Sequence, residues 1–313
     1  MSQNKSKIES TLKSKETEEF LDVIFYRPLG YLMAVASKKM GITPNCITIF
    51  SIFVGVLAGH LFYYNDLTIN IVGIALLIWA EALDSADGQL ARMTDTKSLY
   101  GRILDGFGGN LWFISIYIHL CLRLINTGES YTIFIVAVVC GISHSLQSAI
   151  ADYYRNYYLF FVYGKSRSEI SKSQNLKKEY QELSWRRNFA KKFLMRVYVN
   201  YTYEQEFLSA KSVRLLGYIS SINGEQAPAK VSDEFRKKNK SLIKYYNILT
   251  TNTRMIVLFI SILTGYLPLY FIFEATILNF LLAYVVYKHE MNAETILFKT
   301  IIINMGETCI KEQ

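Results

Sequence analysis

The apolar residues of this chain come in blocks, several about twenty residues long and almost free of charge, while charged residues crowd into the segments between them. A helix packed on a soluble core carries a polar face along its whole length, so such blocks do not suit a soluble core. They are the pattern of membrane spans. The composition agrees, with 51% hydrophobic and 19% charged residues among 313 and a mean hydropathy of +0.17. It excludes disorder, collagen and a small secreted scaffold. Aromatic residues make up 14%, including 23 Tyr, which suits rings anchored at membrane interfaces. Cys46, Cys121, Cys140 and Cys309 form no CxxC pair and have no histidine at ligand spacing, so they are expected to be free, structural thiols.

The first twenty residues are polar and contain no apolar core of a cleavable signal. From Phe20 to Lys39, Leu21, Ile24, Phe25, Leu29, Leu32 and Val35 alternate with Asp22, Arg27 and Lys38, the pattern of an amphipathic helix lying at the interface or packed on the bundle. Six apolar blocks follow: Ile47 to Tyr64, Ile69 to Ala91, Ile103 to Leu124, Tyr131 to Val162, Met255 to Phe273 and Ala275 to Tyr287. The first five can cross about 30 Å of hydrocarbon at about 1.5 Å per residue. The sixth is short, follows the fifth through a short turn, and is counted as a span because an even number agrees with the loop charges.

Those charges give the orientation. Arg92, Lys97 and Arg102 lie between the second and third spans, and Lys165 to Lys244 carries eighteen Lys plus Arg, whereas the loops after the first and fifth spans have none. Basic loops mark the cytoplasmic side, which places both termini there. The expected fold is therefore all-α: six transmembrane helices, an amino-terminal interfacial helix and a cytoplasmic helical insert. By residue number the expected organisation is 1–45 tail and interfacial helix, 46–163 spans one to four, 164–244 insert, 245–290 spans five and six, and 291–313 tail. Within the insert, the run from Lys177 to Tyr201 suits helix, and Asn223-Gly224 ahead of Pro228 marks a turn. Its basic surface either attracts anionic lipid or serves topology and solubility.

The chemistry concentrates where spans two and three meet, in AEALDSADGQLARMTDTKSLYGRILDGFGGNLWF. Carboxylates beside a bilayer are costly and need partners or a function. At about 100° per residue, Asp84 and Asp87 lie about 60° apart, with Ala91 nearly below Asp84 and Gly88 adding no bulk. On the next helix Gly101, Asp105 and Gly109 follow one another at i+4. Small residues let two such helices approach and bring three carboxylates into one pocket. Taken singly, each aspartate is accounted for by capping or interfacial placement; the three together are not. Clustered anions in a low dielectric call for a hard cation, and oxygen ligands select Mg²⁺, Mn²⁺ or Ca²⁺. Arg92 is positioned to meet a phosphate.

This arrangement resembles the CDP-alcohol phosphotransferase family, whose signature reads D-x2-D-G-x2-A-R-x8-G-x3-D-x3-D. Asp84, Asp87, Gly88, Ala91, Arg92, Gly101 and Asp105 match in register, each fixed letter being worth roughly a twentyfold reduction in chance. Thr43, Pro44, Asn45, Ile47 and Thr48 also look like the family's TPN-IT stretch. The resemblance covers residues 20 to 162 and the last two spans in outline, but not the insert. It implies transfer of a phospho-alcohol group from a CDP-linked donor to an acceptor hydroxyl, with release of CMP. Asp84, Asp87 and Asp105 are implied to be the catalytic metal ligands for Mg²⁺ or Mn²⁺. The implied substrate-binding set is Thr43, Asn45, Asp87, Gly88, Ala91, Arg92 and Gly101, to which Arg155 is added as a candidate for an acceptor phosphate. CDP-diacylglycerol is the expected donor. Inositol phosphate, glycerol phosphate, serine and a lipid hydroxyl are the open acceptors. A homodimer in a bacterial inner membrane, with membrane lipids around it and no nucleic acid, completes the expectation.

The family's final aspartate, the base for the acceptor hydroxyl, falls on Gly109. Either the acceptor brings its own ionised group, or a carboxylate such as Glu81 or Asp95 substitutes, or transfer is lost. Asn110 can offer an amide oxygen but takes no proton. The competing class is a silent relative that keeps the pocket for binding CDP-lipid or metal. A transporter would show internal repeats, and none is found. His60, His119, His144 and His289 share no spacing, and His144 is expected to be hydrogen-bonded within the bundle.

Overall fold

The structure, a computed structural model, describes residue 14 and residues 16–311, with side chains described as far as residue 304. Most of the polar leader and the thiol of Cys309 lie outside the described residues. Among the described residues the regular elements are helices, with no strand. Six stretches are long and apolar enough to span a bilayer: Pro44–Leu61, Leu67–Met93, Leu99–Asn126, Ile133–Tyr163, Ala229–Thr264 and Pro268–Asn304. Large apolar side chains such as Ile49, Phe53, Ile71, Ile114, Ile135 and Phe280 stay exposed on these helices, as lipid-facing residues do. The protein is an integral, multi-pass membrane protein.

A π turn at Asp22–Tyr26 leads into α1 (Arg27–Lys39), followed by α2 (Pro44–Leu61), α3 (Leu67–Met93), α4 (Leu99–Asn126) and α5 (Ile133–Tyr163). The insert folds as α6 (Ser173–Glu182), α7 (Phe189–Leu208), α8 (Ala210–Asn223) and α9 (Ala229–Asn239). After α10 (Ile243–Ile248) come α11 (Thr251–Thr264), α12 (Pro268–Ile272) and α13 (Leu278–Lys311). The chain packs as two units interleaved in sequence. The first holds the residues up to Ser145 with Glu182–Tyr198 and Thr251–Ile277; the second holds Leu146–Gln181, Val199–Thr250 and the residues from Leu278 onward.

In the first unit α2, α3 and α4 pack around Val54, Ala58, Leu77, Leu83, Trp112, Ile116 and Leu120. Glycine makes that closeness possible. A Cβ at Gly55 would stand 2.3 Å from the Trp112 ring, and one at Gly59 would stand 2.9 Å from the Ile116 backbone nitrogen. At the end of the bundle farthest from the aspartates, the buried Arg123 guanidinium donates to the Phe62 carbonyl, Asn70 and Asn65, tying α4 to the turn between α2 and α3. His60 and His119, unrelated by spacing, meet there: Nδ1 of His60 is 3.0 Å from Nε2 of His119. Since His119 Nδ1 donates to the Ser115 carbonyl at 2.7 Å, its Nε2 accepts from His60. The amino-terminal segment joins the same unit. Exposed Phe20, Ile24 and Leu32 face outward, while Gly30 and Ala34 are buried against α3.

Two expectations are corrected. The turn between the last spans falls at Gly265–Leu267, not beside Glu274. Gly265 adopts φ +73°, a conformation that suits glycine, and Pro268 starts the next helix. Glu274 is instead fully buried inside a π turn, Phe273–Ile277, where both carboxylate oxygens accept from Arg254 Nε at 3.2 Å. His144 is not held by a hydrogen bond at Nδ1; its ring packs on Phe113, with centroids 4.3 Å apart.

The second unit is built around aromatic rings. His289 stacks on Tyr154 at 3.7 Å and meets the Tyr246 hydroxyl at 2.7 Å. Glu290 accepts from the Lys211 and Ser212 amides and the Ser212 hydroxyl, which fixes the start of α8 on α13. The insert turn occurs where expected, with Gly224 at φ +68° and Pro228 preceding α9, but the helical run from Lys177 is interrupted at residues 183–188.

Candidate metal and nucleotide site

Three helix ends converge on the site. Ser98 caps the start of α4 there by accepting from the Gly101 amide at 3.0 Å, while Asp66 caps the far end of α3 by accepting from the Ile69 amide at 2.9 Å. Between α3 and α4 the chain reverses through Asp95, which takes a left-handed φ of 53° that aspartate tolerates. Lys38 donates to the Met93 carbonyl at 3.2 Å and so ties the end of α3 to α1.

Asp84 and Asp87 on α3 and Asp105 on α4 place one oxygen each within 4.8 Å of one another. Asp87 is buried and the other two are half-buried. Three carboxylates at such spacing repel strongly unless a cation lies among them, and an all-oxygen set suits a hard divalent ion. The residues present therefore fit a divalent metal. Thr48, at the start of α2, donates to Asp87 Oδ2 at 2.5 Å. In the sequence this threonine stands out only as a motif letter, because its partner lies 39 residues away, where helix spacing gives no signal.

The glycines of the motif now have physical causes. A Cβ at Gly101 would stand 3.2 Å from Asn45 Oδ1, so the glycine lets the start of α2 approach α4. At Gly88 it would stand 3.4 Å from the Arg92 guanidinium, which folds back over that position. A Cβ at Gly109 would meet nothing within 4 Å, so the position of the absent aspartate is open space.

Of the remaining candidates, Thr43 is exposed beside Asn45, with its hydroxyl 3.2 Å from Cys46 Sγ. Ala91 is half-buried one turn below Asp87. Arg155 lies on the part of α5 that belongs to the second unit. Of the two carboxylates weighed as substitutes for the missing base, Glu81 lies outside the group within 4.8 Å but interacts electrostatically with its members Asp84 and Asp105. Asp95 is exposed in the loop. Glu81 interacts electrostatically with Asp22, Glu19, Asp105 and Arg27, and Asn252 bridges Glu19 and Asp22 with bonds of 2.8 Å. Burial, with the Glu81 charge second, holds the nearby Tyr26 phenol above its ordinary pKa. The Asn110 amide is bonded to the Gly106 carbonyl of its own helix at 2.8 Å.

The segment that carries this geometry also carries the resemblance. Residues 41–167 match the CDP-alcohol phosphatidyltransferase family. The match contains all seven residues of the signature, Asn45 and Thr48, and leaves most of the insert and the last two spans outside it. CDP-alcohol phosphatidyltransferases are transferases of substituted phosphate groups, a chemistry to which a carboxylate pocket with an adjacent arginine is suited. An uncharacterized protein of Aquifex aeolicus (strain VF5) is 29% identical over 111 residues, 34% of this chain and 55% of the relative. The chain thus spans about half the length of that relative. No solved structure matches.

Proposed function

We propose that the protein is a CDP-alcohol phosphotransferase that moves a phosphatidyl group from CDP-diacylglycerol to the hydroxyl of an acceptor and releases CMP. The observation that carries this reading is the group of Asp84, Asp87 and Asp105 within 4.8 Å. These residues would hold Mg²⁺ or Mn²⁺, which when bound neutralises the pyrophosphate and the leaving CMP. Thr48 fixes the Asp87 carboxylate, and Arg92 over Gly88 is placed for a donor phosphate. The acceptor oxygen forms a bond to the phosphorus that bears the diacylglycerol, the bond from that phosphorus to the bridging oxygen breaks, and CMP leaves with the bridging oxygen. Because Gly109 carries no base, the hydroxyl proton passes to an ionised group of the acceptor itself. The basic insert and loops support a site that faces the cytoplasm, and the family resemblance supports a homodimer.

A second reading, a silent relative that binds CDP-lipid without turnover, is favoured by Gly109 alone. One assay separates the two. Protein reconstituted in lipid with Mg²⁺, labelled CDP-diacylglycerol and a panel of acceptor alcohols should release CMP, and Asp87→Asn should stop it. Thermal protection by CDP-diacylglycerol without CMP from any acceptor would leave only the binding role.

A further inference from the structure

The insert is not a separate appendage. The first half of α7 belongs to the same unit as the aspartates and lies against the start of α4 through three ring contacts. Lys191 Nζ lies 5.2 Å from the centre of the Tyr100 ring, the Arg102 guanidinium carbon lies 5.5 Å from the centre of the Tyr198 ring, and Phe193 meets Phe107 edge-on with centroids 5.9 Å apart. Tyr100 is in the first turn of α4, and Phe107 is about 10 Å further along at about 1.5 Å per residue. This part of α7 therefore stands where a bilayer-spanning helix passes from headgroups to hydrocarbon.

Its outward face does not suit water. At about 100° per residue, Phe189, Phe193, Arg196 and Val197 share a stripe about 100° wide, and Met195, fully buried, points about 150° away from its middle. A helix packed by one side on a protein in water shows a polar other side. Here Phe189 is 66% exposed, and Phe193, Val197 and Trp185, whose ring meets Phe189 at 5.6 Å, are exposed as well. Arg186, Arg187 and Arg196 accompany them, exposed and without a carboxylate partner among the described residues. An exposed apolar stripe with aromatic rings and a cationic rim is the pattern of a helix lying in a membrane interface, where each basic residue adds attraction to an anionic leaflet. A second copy of the same face is a poorer occupant, because a two-fold contact would set arginine against arginine.

We infer that the first half of α7 is an interfacial anchor: Phe189, Phe193 and Val197 sit in the bilayer, and Arg186, Arg187 and Arg196 hold its anionic headgroups. The partner is the surrounding membrane, so the inference does not depend on the transfer of a phosphatidyl group.

The test reads depth with a nitroxide. The full chain with Cys46→Ser and Cys309→Ser carries a spin label on Phe189→Cys or on Val197→Cys, in nanodiscs of phosphatidylcholine alone or of equal parts phosphatidylcholine and phosphatidylglycerol. With phosphatidylglycerol either label should relax with dissolved oxygen rather than with a water-soluble nickel chelate, and in phosphatidylcholine alone it should move toward the chelate. At about fivefold in partitioning for each basic residue near an anionic surface, Arg186→Glu with Arg187→Glu should lower the share of label in lipid at Val197→Cys at least about tenfold. Phe189→Asp should lower it in both lipids. The melting temperature in detergent should stay that of the labelled parent, since the changes lie on the outward face, and the comparison of the two lipids needs none of these variants. Relaxation dominated by the chelate in both lipids puts the stripe in water and overturns the inference. Equal relaxation by oxygen in both lipids, unmoved by the arginine changes, removes the anionic partner and overturns it too, and spin–spin broadening between labels assigns the face to a second copy instead.

Discussion

The Thr48 hydroxyl stands 2.5 Å from Oδ2 of Asp87, across the interface of α2 and α3. Such a bond orients a carboxylate that must present its other oxygen to a cation, as outer partners of metal ligands do. Thr48→Val should therefore weaken Mn²⁺ binding about 10- to 100-fold, the usual effect of losing an outer partner. Thr48→Ser should restore it. Titration of Mn²⁺ by electron paramagnetic resonance reads both.

The three aspartates repel one another when no cation is present. Asp84→Asn and Asp105→Asn should each abolish CMP release, yet the melting temperature in EDTA should hold or rise, because one of three clustered charges is gone. A fall in the EDTA melting temperature in both variants would mean that the carboxylates serve packing.

Gly109 lies in open space, so Gly109→Asp should fold normally. General bases typically contribute about 10²- to 10⁴-fold, and the variant should release CMP faster with neutral acceptors, which bring no base of their own. An unchanged rate would show that acceptor deprotonation is not limiting.

Gly55→Leu drives a side chain into Trp112, whose ring is 2.3 Å from the ideal Cβ position. The cost should be at least the about 1–3 kcal/mol typical of overpacking, read as a lower unfolding temperature in detergent. Gly141, where an added Cβ meets nothing within 4 Å, supplies the control as Gly141→Ala.

Arg254 and Glu274 are both fully buried. Removing one partner strands the other charge and should destabilise by about 3–5 kcal/mol, whereas Arg254→Met with Glu274→Met together should recover much of the loss. A double-mutant cycle by thermal unfolding measures the coupling.

What could be read from the chain was what is local. Blocks of apolar residues placed the six spans, and i+3 and i+4 spacing put the aspartates on facing stripes, because a helix converts short sequence distance into a fixed angle. Contacts between distant segments were not legible: Thr48 with Asp87, His60 with His119 and Arg102 with Tyr198 join residues whose separation carries no periodic signal. Glu274 illustrates the cost. A single charge in an apolar run looks like a turn until its partner, twenty residues earlier, is seen beside it.

That partnership also bears on how the protein is made. A helix carrying Arg254 enters hydrocarbon with a penalty of about 2.5–3.5 kcal/mol on translocon scales, and the segment with Glu274 meets a similar obstacle. Neither is a good passenger alone. Joined by the tight turn at Gly265–Leu267, the two charges neutralise each other in the folded bundle, so pairing the two segments during insertion lowers the cost that each would meet alone.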